Sequence, residues 1–285
     1  MGIDLSLKKV FIRADSSSLI GTGHIYRDLV LASFFKDAEL TFLTQTLEGN
    51  INQNIKDAGY KIISLESNSL KELNATLNEH TPDLLIIDSY EIDYRIEKKI
   101  KKRNPKLKLM VLDDTYERHY CDTLLNHNIY AQKSKYKGLV PKSCKLLCGA
   151  EFTLLRQEFF DAKKRTYKKA KKFTVFLAMG GADTSELNIL LLKALKNFKN
   201  IKVHLVTTEA NKNLKKLKKF CAKKEWIRLH INSKKIAKLM AKSHLGIVTP
   251  SVVLNELHFM ELPFFVLQTA PNQKEMIRYL KGSLL

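Results

Sequence analysis

The residues best suited to chemistry lie in RADSSSLIGTGHIYRDLVLASFF, residues 13–35, where an apolar run ends in a polar turn and a helical pattern begins. Gly21 and Gly23 permit close backbone approach, and His24 falls in the first helical turn. Unpaired N–H groups and the positive helix end disfavour imidazolium there, so His24 is expected to be neutral, the state a general base needs. Asp15 or a backbone carbonyl could fix its tautomer. Arg27, one turn further on, could hold an anion or a nearby acid, or could be an ordinary surface arginine. The glycines also fit a tight turn without a ligand, and His24 a cap or packing residue. GTGHIY is not the dinucleotide fingerprint, because Tyr26 occupies the third glycine position, and the P-loop lysine is absent. Neither NAD nor ATP is implied.

A second group, AMGGADT at 178–184, follows an apolar run and precedes a helix expected to start near Ser185. The N–H groups around Gly180 and Gly181 could hold a phosphate, although paired glycines are common in turns. A third, TPSVVLNEL at 249–257, offers Ser251 as a helix N-cap with Asn255 and Glu256 on the first turns. Glu256 could receive two ribose hydroxyls, or simply face solvent. Gln268 and Asn272 in QTAPNQ could line the same site. In the first half, IIDSY and VLDD end apolar runs with Asp88, Tyr90, Asp113 and Asp114, all expected to point toward one cleft. Acids at strand ends also stabilise turns through backbone N–H groups, and no metal site is expected from them. Arg156, between apolar residues in EFTLLRQEFF, has a planar fork suited to a phosphate or a carboxylate.

The elements that must position these groups read as short β-rich runs alternating with helical patterns. Candidate strands cover 8–15, 39–44, 60–65, 83–88 and 107–114, with two weaker ones at 122–126 and 144–149. A second series covers 173–179, 201–207, 226–231, 244–249 and 263–268. Apolar blocks without strict alternation fit parallel strands covered on both faces. The basic stretch KKRTYKKAKK at 163–172 reads as a connector, which predicts domains at 1–162 and 163–285. The expected fold is α/β, two domains with right-handed crossovers and a cleft at the carboxyl ends of the strands.

The chain has 285 residues, 45% of them hydrophobic, enough for two cores. Its 49 Lys and Arg against 29 Asp and Glu give a net charge of +20, nearly all in the second half: 26 basic against 8 acidic residues from 159 on. These lysines recur opposite apolar stripes, as in NLKKLKKF at 213–220, the pattern of a solvated helix surface. No zinc finger, RNP aromatic pair or basic zipper accompanies them, so no specific nucleic acid is expected. The chain has no apolar run of about 18 residues and no signal-peptide pattern, which points to a cytoplasmic protein without membrane insertion. Cys121, Cys144, Cys148 and Cys221 lack zinc-site spacing and are expected to be free thiols.

FIRADSSSLIGTGHIYRDLVLA, together with IIDSY, VLDD, LCGAEFTLLRQEF, AMGGADT and SVVLNEL, resembles the PseG family of UDP-sugar hydrolases of pseudaminic acid biosynthesis, related to MurG-like glycosyltransferases. The resemblance runs over nearly the whole chain. It implies a GT-B-like pair of Rossmann-type domains with parallel sheets facing each other across a cleft, the nucleotide held mainly by the C-terminal domain and the sugar reaching toward the N-terminal one. It implies inverting, metal-independent hydrolysis of UDP-2,4-diacetamido-2,4,6-trideoxy-β-L-altropyranose, with water replacing UDP at the anomeric carbon. His24 matches the family's catalytic base. Asp15, Gly23, Arg27, Tyr90, Arg156, Gly180, Gly181, Ser251, Asn255 and Glu256 are the expected substrate contacts, with Glu256 on the ribose. Pro250, Ser251 and Val252 depart from the family by giving one hydroxyl where a Ser pair is more typical. No cofactor is expected, and the only expected partner of a monomeric chain is the UDP-sugar. A glycosyltransferase using a UDP-sugar donor is the alternative, since the same fold serves transfer.

Overall fold

The computed structural model describes residues 7–165, 167, 170–181, 183 and 185–282. Two compact units form, one running to Ser17 and from Gly23 to Leu154, the other from Leu155 onward together with Ser18–Thr22. Thr166, Lys168 and Lys169 of the basic connector lie outside the described residues. Helix α5 (Gln157–Lys163), just before that connector, packs on α8 (Ile236–Ala241) within the second unit.

In the first unit, strands β1 (Lys9–Ala14), β2 (Glu39–Thr44), β3 (Lys61–Ser64), β4 (Leu84–Asp88), β5 (Lys108–Leu112), β6 (Thr123–Asn126) and β7 (Lys145–Cys148) form a seven-stranded sheet in the order β3-β2-β1-β4-β5-β6-β7. Every pairing is parallel. Helices α1 (Gly23–Ala32), α2 (Asn52–Asp57), α3 (Leu70–His80) and α4 (Tyr94–Arg103) connect the first five strands. Val10, Ile12 and Ala14 of β1 pack with Ile25 and Leu31 of α1 on one face, and Phe11 packs with Leu73 and Leu77 of α3 on the other. A strand covered on both faces reads as an unbroken apolar run, which is why β1 lacks period-two alternation. Helix starts are set locally: Ser69 Oγ accepts from the Glu72 N–H, and Asp93 Oδ1 accepts from those of Arg95 and Ile96.

The second unit repeats the plan on a smaller scale. β8 (Phe173–Ala178), β9 (Ile201–Thr207), β10 (Ile227–Ile231), β11 (Leu245–Val248) and β12 (Phe264–Val266) pair in the order β10-β9-β8-β11-β12, again parallel. Between them run α6 (Leu187–Leu195), α7 (Leu214–Cys221), α8 and α9 (Val252–Phe259), and α10 (Lys274–Gly282) follows. Val175, Leu177, Val203 and Leu205 pack against Leu192 of α6 and Leu217 of α7. Strand order reverses between β1 and β4 in one sheet and between β8 and β11 in the other. Ligands bind at such switch points, beyond the carboxyl ends of the strands. The four cysteines are free.

Asp113 corrects the expectation that the strand-end acids face one site. Its carboxylate accepts from the Thr115 and Tyr116 N–H groups and the Tyr136 hydroxyl, within a buried network that includes His119 and Glu97 of α4. His119 Nδ1 lies 2.7 Å from Glu97 and its Nε2 lies 3.7 Å from Asp113. Burial alone would lower the His119 pKa, but the neighbouring Asp113 and Glu97 carboxylates outweigh it and push the value up to about 9. A raised histidine pKa stabilises the fold fully below its ordinary value of 6.5, and that stability drains away as pH climbs toward 9. Denaturant unfolding is therefore expected to show a loss on the order of 3 kcal/mol across this window, and His119→Asn is expected to flatten the slope.

Candidate active site

The first site is built where β1 and β4 run side by side. Ala14 and Asp88, the last residues of the two strands, are register partners, so the Asp88 carboxylate lies beside the turn that leads to α1. Gly21 takes a φ of +89°, which a side chain would resist, and the chain then enters α1 at Gly23 with His24 in its first turn. Arg27, one turn on, is buried and points its fork back at the strand ends. Its Nε donates to Asp88 Oδ2 at 2.6 Å, its Nη2 to Asp88 Oδ1, and its Nη1 to Asp114 Oδ2 at 3.1 Å. Of the two readings open from sequence, a surface arginine and one holding an acid, the second is correct.

His24 Nδ1 stands 3.9 Å from Asp88 Oδ1, and its ring meets Tyr90 edge-on with centroids 5.1 Å apart. The Tyr90 hydroxyl donates to Asp114 at 2.8 Å, closing a circle of His24, Arg27, Asp88, Tyr90 and Asp114. Burial is the largest influence on His24 and lowers its pKa below 6.5; Asp88 pulls upward and Arg27 pushes down again. For Asp88, burial pushes upward, but the charge and hydrogen bonds of Arg27 outweigh it and keep the carboxylate ionised. The result is a neutral imidazole beside a fixed negative charge. It can take a proton, and the imidazolium so formed is stabilised where it stands.

Asp15 is engaged elsewhere. It accepts from Arg13 Nη1 at 2.8 Å and from the Gln45 N–H at 2.7 Å, so the acid beside His24 is Asp88. Asp88 and Asp114 were visible in the sequence as strand-end acids, yet nothing there showed that one arginine would draw them together.

In the second unit, Arg156 joins two acids: its Nη2 donates to Glu256 Oε1 at 3.0 Å, and Nη1 lies 2.7 Å from Glu158 Oε1. Glu256 is buried on α9 rather than facing solvent, and burial raises its pKa, with Arg156 partly opposing. Asn255 beside it is also buried. Ser251 occupies the N-cap position of α9 without capping it; its hydroxyl lies 3.3 Å from that of Thr249.

The turn after β8 needs both its glycines. Gly180 has a φ of +81°, and a Cβ on Gly181 would fall 2.8 Å from Thr208 Cγ2. The Gly181 carbonyl accepts from the Thr208 N–H and from both the Thr207 and Thr208 hydroxyls. Helix α6 starts at Leu187, later than expected, because Glu186 is left-handed at the N-cap; Asp183, inside the turn, accepts from the Asn188 side-chain amide at 2.6 Å. Ala182 and Thr184 of this turn, and the side chain of Asn272, lie outside the described residues. Among the described residues no three His, Cys, Asp or Glu side chains gather as a metal-binding group, and no helix is long and apolar enough to cross a membrane.

No known protein-family profile matches the chain. It is 39% identical over 272 residues to the UDP-2,4-diacetamido-2,4,6-trideoxy-β-L-altropyranose hydrolase of Campylobacter jejuni, covering 95% of this chain and 96% of that one. Among solved structures it resembles MurG of Acinetobacter baumannii, with a TM-score of 0.61 at 12% identity, covering 96% of this chain and 84% of that one. It also resembles Anabaena Alr3699/HepE, solved in complex with UDP, with a TM-score of 0.58 at 11% identity over 98% of this chain and 90% of that one. At such identities the likeness establishes the fold, a GT-B-like pair of Rossmann-type domains.

The Arg27–Asp88 pair makes a direct test of this site. Arg27→Met leaves the Asp88 carboxylate buried without its cation and is expected to cost about 3–5 kcal/mol in urea unfolding. Removing the cation of an exposed pair such as Lys61–Glu39 is expected to leave the unfolding midpoint nearly unchanged.

Proposed function

The chain belongs to the UDP-2,4-diacetamido-2,4,6-trideoxy-β-L-altropyranose hydrolase family, the PseG family, and from that premise we propose how its own residues perform the reaction. It is a UDP-sugar hydrolase of pseudaminic acid biosynthesis. Water attacks the anomeric carbon from the face opposite UDP; the C1–O bond to the diphosphate breaks with its electron pair going to UDP, and the free sugar is released with inversion.

The observation that carries the reading is the buried, neutral His24 held 3.9 Å from an ionised Asp88. With Nδ1 on the Asp88 side at 3.9 Å, we assign the ring hydrogen to Nδ1, which leaves Nε2 to take the proton of the attacking water. A diphosphate is a good leaving group without protonation, so one base suffices and no second acid has to reach the glycosidic oxygen. That agrees with a site in which the nearby carboxylates, Asp88 and Asp114, are tied to Arg27 and Tyr90 instead of standing free as acids. No step in this scheme calls for a metal ion.

We assign the sugar to the first domain, residues 1–162, with Asp15, Gly23, Arg27 and Tyr90 shaping its surroundings, and UDP to the second, residues 163–285, assisted by Arg156, which precedes that boundary in sequence but folds with the second compact unit. Glu256, held by Arg156 through Oε1, keeps Oε2 for the ribose hydroxyls, while Gly180 and Gly181 let the backbone come close to the diphosphate and Ser251 and Asn255 complete the nucleotide contacts. The enzyme works as a cytoplasmic monomer with no nucleic-acid partner.

Purified protein given the UDP-sugar without acceptor or added metal is expected to release UDP and free sugar. His24→Asn is expected to lower kcat by about 10²–10⁴ while UDP still binds. Strict dependence on an added sugar acceptor overturns the hydrolase reading in favour of transfer. The acid limb of kcat/KM is expected below pH 6.5, because the base must be unprotonated and its pKa is lowered. Glu256→Ala is expected to weaken UDP binding by about tenfold or more in calorimetry, with little change in the acid limb.

A further inference from the structure

One residue of the first site is left over by this chemistry. Asp28 follows Arg27 on α1, is fully buried, and neither of its carboxyl oxygens has a hydrogen-bond partner among the described residues. It lies against Asp88. A lone ionised carboxylate in such a place is untenable unless a cation answers it, and each candidate cation is accounted for. Arg27 already serves both Asp88 and Asp114. His24 is neutral, and burial drives His127, the imidazole following β6, down to about 3. Arg13 is taken up by Asp15.

Two carboxyl groups sharing one site cannot both ionise, and Asp88 is the one that holds the guanidinium. Asp88 accepts one arginine bond on each oxygen, which leaves lone pairs on both for another donor. We propose that Asp28 is a carboxylic acid in the working enzyme, donating its hydrogen to Asp88 and acting as a positioning residue that sets how strongly Asp88 draws a proton onto His24. With Asp28 neutral, His24 faces the carboxylates of Asp88, Asp114 and Asp15 opposed by Arg27, and Asp28 adds no further negative charge. A further negative charge would favour imidazolium and take the base out of its working form. The bond to Asp88 also holds that carboxylate in the orientation Arg27 requires.

The proposal rests on His24 being the base, but its test needs no turnover, so a failure of the hydrolase reading and a failure of this one are distinguishable. Infrared spectra of the intact protein at pH 7.5 are expected to show a protonated-carboxyl C=O band that is missing from Asp28→Asn; the absence of that band in the wild type overturns the proposal. The His24 ring is then titrated by NMR with labelled histidine. Asp28→Asn keeps a neutral donor toward Asp88, so the His24 midpoint is expected to move by less than about 0.3 pH unit. A downward move of about one unit means that the substitution removed a negative charge, which overturns the proposal. Asp28→Ala, which deprives Asp88 of its donor, is expected to move the midpoint upward.

Discussion

The Arg27–Asp88 pair is the interaction on which the first domain's site depends. Asp88 ends a strand that is buried along its whole length, and its carboxylate is held under cover beside Ala14. An ion there is tolerated only with a partner of good geometry, and Arg27 supplies a two-pronged one from α1. Because Arg27 and His24 share that helix one turn apart, the pairing that settles Asp88 also fixes the distance and direction of the imidazole. The same guanidinium moderates what Asp88 does to His24. Without it, a naked carboxylate at 3.9 Å would favour imidazolium and leave no base.

This arrangement separates two demands that conflict in most buried sites. Desolvation favours the neutral imidazole, and the preformed negative charge would stabilise it on accepting a proton, as the proposed base must. The polar atoms are aligned by the fold, so protonation of that ring would need little reorganisation. Tyr90 contributes on both counts: its ring abuts His24 while its hydroxyl is satisfied by Asp114.

The strands were legible in the sequence because parallel strands covered on both faces leave unbroken apolar runs, and even the short blocks that became β6 and β7 followed that rule. The side-chain partnerships were less so. Arg27 and Asp88 are 61 residues apart, and only the register of β4 beside β1 brings them together. Asp113 and Asp114 are neighbours in sequence, yet successive residues leaving a strand point to opposite faces, so one joined the His119 network and the other the His24 site. The start of α6 differs from the expectation for a local reason: Glu186 at the N-cap is left-handed, and Asp183 in the glycine turn ties down the Asn188 side chain of the first turn.

The positive charge of the second half bears on encounter more than on chemistry. Lys215, Lys216, Lys218 and Lys219 are exposed on α7, and Leu217 between them is buried against the sheet, so these cations lie on the solvent side of the helix. At physiological ionic strength their field decays over about 8 Å. They can raise the local concentration of a diphosphate near the surface, yet they cannot single out one nucleotide from other anions. Discrimination has to come from groups under cover, where water does not screen them. In this unit the covered cation Arg156 is shared between two acids, Glu158 and Glu256, so the covered groups offer no excess of positive charge. A nucleotide bound there, as proposed, would be recognised by shape and donor pattern instead of by net charge.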